Sequence, residues 1–327
     1  MASGRAVERL CAVSVDLDTL GHYRGLHGLD GPADAAGAGD AIYERCLPRF
    51  TALFAEAGVP ATFFAIGADL ARPAAAAALR RAAEAGHEIG NHSLRHLYDL
   101  SLCDETTVRA EVSLGHEAIA AAVGPAHAPR GFRAPGYNLS PAILEAVAAQ
   151  GYRWDSSIFP CPPYYLAKWT VMAGMAVRGR STRAVRGAAR QLFAPRAPFR
   201  PRRGSIWRAA PPGAGDDAAL PLLEIPIGVL PGARAPYIGT FLVLAGRGGA
   251  RFMTSWMARA RLVNLELHGI DLCDAAEDGV EAALVARQHD LRVSGADKRE
   301  IFARTLAQLA RTHRFVTLSE VGAHYSA

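Results

Sequence analysis

The sequence is poor in cysteine, and its cysteines are not arranged for cross-linking or for binding metal. There are only 5 in 327 residues, they lie far apart, and no two form a CxxC pair. Disulfide frameworks and thiolate zinc sites depend on paired or closely spaced cysteines, so neither is indicated. We therefore expect a protein of a reducing compartment.

Long apolar runs are also missing. The longest clean run, residues 169–177, is far shorter than the roughly 18–20 residues that cross a bilayer. Residues 1–10 lack the apolar core of a signal peptide, so the expected location is the cytoplasm. With 50% hydrophobic and 20% charged residues, the composition excludes disordered, collagenous and coiled-coil classes.

Acidic residues are absent from one long stretch. Between Ser156 and Gly215 the sequence has one lysine, ten arginines and no acid, a charge of +11 in a chain whose net charge is +5. The rest of the chain is therefore acidic, at −6. Such a one-sided segment is a candidate surface for an anionic partner.

Short β-branched runs alternate with longer Ala- and Leu-rich stretches of helical period, which is typical of repeated βα units around a parallel sheet. The predicted strands are residues 11–17, 61–66, 87–91, 130–133, 152–157, 222–228, 237–244, 262–268 and 314–318. The predicted helices lie near residues 40–57, 69–85, 104–123, 140–150, 248–259 and 297–312. We expect one α/β barrel domain over residues 1–327, with a long loop at 20–39 and a basic insertion at about 160–220.

Two aspartates close the first predicted strand, in the sequence Ser14-Val15-Asp16-Leu17-Asp18. Alternation along a strand sends Asp16 and Asp18 to the same side, at the end where barrel enzymes build their sites. Two such close carboxylates need a cation or a shared proton. An aspartate loop that only caps the next element is the alternative.

Two histidines follow the third predicted strand. His92 and His96 are four residues apart, which on a helical turn would place both imidazoles on one face, about 6 Å apart along the axis. Together with the paired aspartates they suggest a site of two histidines and one carboxylate that leaves positions open for water and substrate.

An arginine and a histidine complete the candidate residues. Arg133 ends a predicted strand, and Asp155 on the next strand is its expected carboxylate partner, whether for structure or for positioning. In Asn264-Leu265-Glu266-Leu267-His268-Gly269, alternation places Asn264, Glu266 and His268 on one side. His268 is well placed as a general acid, and a purely structural histidine is the alternative.

Taken in this chain order, these motifs resemble the polysaccharide deacetylase family, carbohydrate esterase family 4. The resemblance covers most of residues 10–160 and 262–320. It implies a distorted (β/α) barrel that uses one divalent metal ion to hydrolyse N-acyl groups of amino sugars.

The resemblance also implies a role for each matching residue. Asp16 would be the catalytic base, His268 the general acid, and Arg133 with Asp155 the pair that orients the base. Asp18, His92 and His96 would hold the metal, Zn²⁺ first by ligand type, with Co²⁺ or Ni²⁺ able to substitute. The substrate-binding candidates are Gly136, Tyr137, Trp154 and Leu267.

The sequence departs from the family pattern at three positions. Leu17 separates the two aspartates, as in the branch that contains some bacterial peptidoglycan deacetylases and lipid-linked aminoarabinose deformylases. Gly136, followed by Tyr137, stands where an aromatic residue is usual. Glu266 replaces the leucine of the acyl pocket, so the acyl group, acetyl or formyl, is left open.

The expected substrate is an N-acylated amino sugar or glycoconjugate. Because arginines bind phosphate and tryptophan suits an interface, the segment 160–215 could contact anionic lipid at the inner membrane face, and the substrate could be lipid-linked. A solvated basic lid is the alternative for this segment. Two other classes stay open: a metal-independent, allantoinase-like amidohydrolase, and a non-catalytic basic module for membrane or nucleic acid, although nucleic acid is not the expected partner.

Overall fold

The structure is a computed structural model that describes residues 8–29, 41–177, 185 and 187–326. The strands of the described part are β1 Leu10–Asp16, β2 Ala61–Ala65, β3 Glu88–Asn91, β4 Gly131–Phe132, β5 Trp154–Asp155, β6 Pro201–Arg202, β7 Ser205–Ala209, β8 Leu223–Glu224, β9 Leu262–His268 and β10 Arg314–Val316. Its α-helices are α1 Leu20–Leu26, α2 Leu47–Ala57, α3 Pro73–Glu84, α4 Glu105–Val123, α5 Pro141–Ala149, α6 Pro162–Val177, α7 Gly239–Met257, α8 Ala282–Arg287, α9 Gly295–Leu309 and α10 Leu318–Ser326. A π-helical turn, Ile42–Cys46, leads into α2.

Eight of the strands form one parallel sheet that curves into a distorted barrel. Strand β1 pairs with β9 along its whole length on one side, and with β10 and then β2 on the other. The sheet continues through β3, β4 and β5 to β8. The residues that follow β8 contact β9 and close the barrel, since the N–H of Gly228 donates to the carbonyl of Asn264 at 2.8 Å. The α/β barrel class expected from the sequence is confirmed.

The central strands are apolar because both of their faces are covered. Every residue of β1 and β2 is buried. The main core packs against these strands from α2, α3, α7 and α9. Local signals set the helix boundaries, since the side chains of Asp104, Ser140 and Ser294 accept N-cap hydrogen bonds and Gly58 ends α2 at a φ of 64°.

Two sequence predictions of local structure were wrong. Residues 20–26 of the predicted loop form α1, while residues 30–40 lie outside the described part. The predicted strand 237–244 belongs mostly to α7, in which one face, including Leu242 and Val243, is buried. A short apolar run does not by itself distinguish a buried strand from a buried helix face.

The basic insertion lies between β5 and β8. It contains α6, a 3₁₀ turn at Ala189–Phe193 and the antiparallel hairpin of β6 and β7. One of its charges is neutralised locally, because Arg200 pairs with Asp216 at 2.9 Å. Four of its arginines lie outside the described residues: Arg178, Arg180, Arg183 and Arg186. Among the helices of the described part, none combines the length and apolarity required to span a bilayer.

Candidate active site

The chemically active residues meet at the carboxyl ends of the strands. Asp16, the last residue of β1, lies in register beside His268, the last residue of β9. The loop after β3 brings His92 to the same edge, where its ring Nε2 lies 3.8 Å from Asp16 Oδ2. A cavity of about 350 Å³ opens onto these three side chains and Asp18. The paired aspartates, the histidine pair and the last histidine therefore form one site, although they come from distant parts of the chain.

Asp18, His92 and His96 form a cluster with the properties of a metal site. The Nε2 atoms of both histidines lie 3.3 Å from Asp18 Oδ1, and all three residues are buried. Ligands at about 2.0–2.2 Å from a tetrahedral zinc ion are about 3.3–3.6 Å from one another, so the spacing fits. Asp18 Oδ1 and both ring nitrogens of His96 have no hydrogen-bond partner among the described residues, which leaves them free to ligate. The three side chains fit a divalent ion.

The charges within this cluster also suit ligation. Burial would raise the pKa of Asp18, but His96 and His92 beside it hold that pKa below its usual range. Burial lowers the pKa of His96 well below its usual value, which favours the neutral ring whose lone pair can bind a metal ion. The Nδ1 atom of His92 lies 2.8 Å from the carbonyl of Arg133, which turns Nε2 toward Asp18.

The two histidines do not lie on a helical turn, and in this respect the sequence prediction was wrong. They lie in a loop in which Ser93 and His96 both have positive φ angles, and their ring centroids are 4.7 Å apart. Asn91 Oδ1 accepts from the N–H of Ser93, and Ser93 Oγ accepts from the N–H of His96. Gly115 of α4 packs directly on this loop, where a Cβ would lie 2.8 Å from Asn91 Oδ1.

Arg133 and Asp16 form a buried ion pair at the floor of the site. Arg133 Nη1 donates to Asp16 Oδ1 at 2.6 Å, and its Nε and Nη2 donate to the backbone carbonyl and hydroxyl of Ser156. The guanidinium also lies over the ring of Phe64, 4.2 Å from its centroid. The second oxygen of Asp16, Oδ2, receives no hydrogen bond from the residues that the structure describes.

Asp155 is not the direct partner of Arg133, which corrects the pairing expected from the sequence. Its two oxygens accept from the N–H and hydroxyl of Ser157, and it lies beside Glu224. Burial and the neighbouring Asp155 raise the pKa of Glu224 well above its usual range. Strands β4 and β5 are neighbours, but Arg133 extends across the barrel toward β1 instead.

His268 lies between the cavity and a second buried carboxylate. Its Nδ1 is 3.0 Å from Glu266 Oε1, and the same oxygen accepts a hydrogen bond from the hydroxyl of Tyr137 at 2.9 Å. Burial would lower the pKa of His268, but Glu266, Asp16 and Asp18 raise it to about 9. Burial raises the pKa of Glu266 to about 7. The sequence placed Glu266 on the same side of β9 as His268 but did not show its contact with Tyr137.

The other walls of the cavity come from helices α1, α6 and α7. Helix α1 supplies Tyr23, and the insertion helix α6 supplies Tyr164, Lys168 and Met172. Phe241 of α7 completes a largely apolar wall. The two histidines and the tyrosine within residues 20–27 were a signal that this stretch belongs to the site.

Two of the four substrate-binding candidates face the cavity. Gly136 and Tyr137 line it, but the N–H of Tyr137 already donates to the carbonyl of Ala134. The predicted substrate-binding role of Trp154 and Leu267 was wrong, since neither residue lines the cavity. Trp154 packs in a core cluster with its Nε1 donating to Ser319, and Leu267 points into the main core because it alternates with His268 along β9.

A second cluster of possible metal ligands lies away from this cavity. Cys46, Cys273 and Asp278 are buried and close together. Both oxygens of Asp278 are engaged by the guanidinium of Arg49, at 2.6 and 3.0 Å. Because that cation already neutralises the carboxylate, the cluster is a poor site for a metal ion.

Part of this chain matches a known protein family, and it also resembles individual known proteins. Residues 36–154 match the family described as polysaccharide deacetylase. The chain is 28% identical over 166 residues to a peptidoglycan deacetylase of Helicobacter pylori, a stretch covering 49% of this chain and 54% of that protein. It is 39% identical over 90 residues to a chitooligosaccharide deacetylase of Bradyrhizobium sp., covering 28% of this chain and 39% of the relative. The matches thus span about half or less of these relatives.

Similarity in fold extends over nearly the whole chain. A solved structure from Mycobacterium smegmatis, described as a polysaccharide deacetylase, superposes with a TM-score of 0.58 over 99% of this chain and 92% of its own, at 20% identity. One from Pseudomonas aeruginosa PAO1 with the same description superposes with a TM-score of 0.56 over 97% and 90%, at 14% identity. Residues 36–154 of this chain are therefore similar to the polysaccharide deacetylase family, and the parallel barrel that contains them has the fold of these solved structures.

Proposed function

We propose that this protein is a metal-dependent hydrolase that removes an N-acyl group, acetyl or formyl, from an amino sugar or sugar conjugate. The observation that carries the proposal is the meeting of three features at one cavity: the Asp18, His92 and His96 cluster, the Asp16 and Arg133 ion pair, and His268. The relatives described as deacetylases of peptidoglycan and chitooligosaccharide support this substrate class.

The protein's own residues supply the proton transfers that amide hydrolysis needs. Asp16 Oδ2, free of hydrogen bonds within the described chain, takes a proton from water as the water oxygen bonds to the acyl carbon. Arg133 holds the other oxygen of Asp16 and so fixes the orientation of the base. His268, protonated on the cavity side, gives a proton to the leaving nitrogen as the carbon–nitrogen bond breaks. The products are a free amine and the carboxylic acid.

Asp18, His92 and His96 would hold the metal. A divalent ion bound there lowers the pKa of water and polarises an acyl carbonyl. Two imidazoles and one carboxylate favour Zn²⁺ but do not discriminate strongly against Co²⁺ or Ni²⁺.

Two features of the cavity favour a substrate with an apolar portion and an anionic group. Residues Tyr164, Met172 and Phe241 form an apolar wall beside the reacting groups. Lys168 is the one lysine or arginine among the residues lining this cavity, and within the described chain it pairs with no carboxylate. Burial lowers the pKa of Lys168 to about 8, and an anion beside it would offset that cost. We therefore propose a lipid-linked amino sugar, in which a phosphate joins the sugar to an apolar chain.

The proposed activity is tested by measuring metal content and both reaction products. The purified protein is analysed for metal and then incubated with N-acetyl and N-formyl amino sugars, each as the free sugar and as a phospholipid conjugate. We expect one divalent ion per chain and release of amine and acid in equal amounts. Turnover by metal-free protein would instead favour an allantoinase-like amidohydrolase. Absence of turnover together with salt-dependent binding of nucleic acid would favour a basic binding module.

We also propose that the protein works in the cytoplasm and contacts the inner membrane face through residues 160–215. Exposed arginines at 190, 202 and 203 and the exposed Phe193 lie in this segment. Each basic residue near an anionic surface contributes on the order of 1 kcal/mol, within a Debye length of about 8–10 Å. We therefore expect binding to anionic vesicles that weakens with salt.

Co-sedimentation with anionic and neutral vesicles at low and high salt measures this binding. The variant changes Arg183, Arg186, Arg190, Arg202 and Arg203 to Gln, the first two lying outside the described residues. A matched control changes Arg80, Arg81, Arg109, Arg299 and Arg304, outside the insertion, to Gln. Binding that does not depend on lipid charge, on salt or on the insertion arginines would refute membrane contact and favour a soluble amino sugar.

A further inference from the structure

Glu266 is a buried carboxylate whose neighbours are two residues of the catalytic cavity. It has no exposed surface and does not itself line the cavity. Its Oε1 accepts from the Tyr137 hydroxyl at 2.9 Å and lies 3.0 Å from His268 Nδ1. Both Tyr137 and His268 face the cavity, so Glu266 lies directly behind them.

The cost of burying this carboxylate is not offset by a structural ion pair. Within the described chain, His268 is the one positively ionisable residue within ion-pair distance of Glu266, and Glu266 Oε2 has no hydrogen-bond partner. Removing a charge from water without full compensation is expensive, and an apolar side chain of similar size would be cheaper. A carboxylate at this position therefore needs a reason other than stability.

We propose that Glu266 is a positioning residue for His268: its Oε1, 3.0 Å from Nδ1, keeps a proton on that nitrogen so that Nε2 presents its own proton to the substrate, while the Tyr137 hydroxyl donates to the same oxygen of Glu266. This inference rests on the proposed amide hydrolysis, in which His268 is the general acid.

The two ring nitrogens of histidine explain why such a partner matters. A neutral imidazole has one N–H, and the group bonded to one nitrogen decides the protonation of the other. A carboxylate at Nδ1 requires N–H there and stabilises the imidazolium, which is the form that can donate from Nε2. His268 Nδ1 has no partner at hydrogen-bond geometry among the described residues, and Glu266 Oε1, 3.0 Å away, is the carboxylate oxygen within ion-pair distance of it.

Separate groups hold the backbone and the ring of His268. The backbone N–H of His268 donates to Asp271 Oδ2 at 2.8 Å, so Asp271 fixes the main chain. The rings of Tyr23 and Tyr137 pack edge-on to the imidazole, each with its centroid 6.4 Å away. The acidic groups around the ring are Glu266, Asp16, Asp18 and Asp271, and of these Glu266 acts most strongly on its charge. Of these four carboxylates, Glu266 is the one within ion-pair distance of Nδ1, so its removal should release the ring while the backbone stays in place.

The test is histidine NMR of the zinc-loaded protein, labelled with ¹⁵N in its histidines. Parent, Glu266→Gln, Glu266→Leu and Tyr137→Phe proteins are titrated, and His268→Gln assigns the signal. The leucine variant restores the residue type of the resembling motif, and zinc content with thermal melting establishes that each variant is folded and loaded. Glu88→Gln is the matched control, because Glu88 is a half-buried carboxyl on β3 that accepts hydrogen bonds from Thr62 and Ser319, away from the cavity.

In the parent protein, we expect the neutral form of the His268 ring to carry its proton on Nδ1. We expect both Glu266 variants to lower the His268 pKa by at least about 1 unit. Tyr137→Phe should give a smaller shift in the same direction, and Glu88→Gln none. Turnover of N-acetylated chitooligosaccharide by the Glu266 variants should fall by at least about 100-fold, with little change in KM. If the tautomer and pKa of His268 are the same in Glu266→Leu as in the parent, the positioning role is refuted. If no protein turns over the sugar but the NMR changes occur, the proposed activity fails on this substrate and the positioning contact stands.

Discussion

Replacing His92 by alanine is expected to abolish metal retention and amide hydrolysis together. His92 is one of three clustered ligands, and its Nε2 lies 3.3 Å from Asp18 Oδ1. Changing even an outer partner of a metal ligand costs about 10–100-fold in affinity, so loss of a ligand should cost at least about 100-fold. Metal analysis after dialysis, paired with product detection, measures both effects.

The control for this experiment is His324→Ala. His324 is an exposed histidine of α10, so its loss should leave metal content and activity at the parent level. Retention of one tightly bound ion per chain by His92→Ala would show that the ligands have been assigned wrongly.

Replacing Asp16 by asparagine is expected to abolish turnover while the metal stays bound, in contrast to His92→Ala, which should lose both. Asparagine keeps an oxygen that can accept from Arg133, but it cannot take a proton from water. A general base contributes about 10²–10⁴-fold, so we expect turnover to fall by about 1000-fold or more. Single-turnover rates and metal content of the same preparation test the prediction.

Stability must be measured beside activity, because Asp16→Asn leaves the guanidinium of Arg133 buried without a countercharge. Breaking such a pair costs at most about 3–5 kcal/mol of unfolding free energy, and the retained amide oxygen reduces that loss. Asp18→Asn is the informative comparison, since it should lose the metal as well. Turnover of Asp16→Asn within about tenfold of the parent would mean that Asp16 has a structural role only.

The alternation of side-chain direction along a strand correctly predicted which site residues lie on the same side. It placed Asp16 and Asp18 at the end of β1 and Glu266 with His268 on one side of β9, and in the structure these groups meet at one edge. Side-chain direction within a strand is a local property with a period of two residues, so the sequence is sufficient to predict it.

Predictions that needed a partner from another element failed more often. Arg133 was paired with Asp155 on the adjacent strand, but its carboxylate is Asp16, 117 residues away in sequence. Trp154 was placed in the site and lies in the core. Strand neighbours can be inferred from chain order, whereas the direction in which a long side chain crosses a barrel depends on the packing of all its walls.

By itself, then, the sequence determined the class of the fold, the strands that carry the reactive residues and the types of those residues. These follow from hydrophobic period and from motif spacing, which are written in short stretches of chain. The tertiary structure alone decided that the histidine pair lies in a strained loop packed on Gly115, that α6 and α7 form an apolar wall with Lys168, and that Glu266 lies behind His268. These features depend on contacts between segments far apart in the chain, and such contacts arise only when the whole barrel packs.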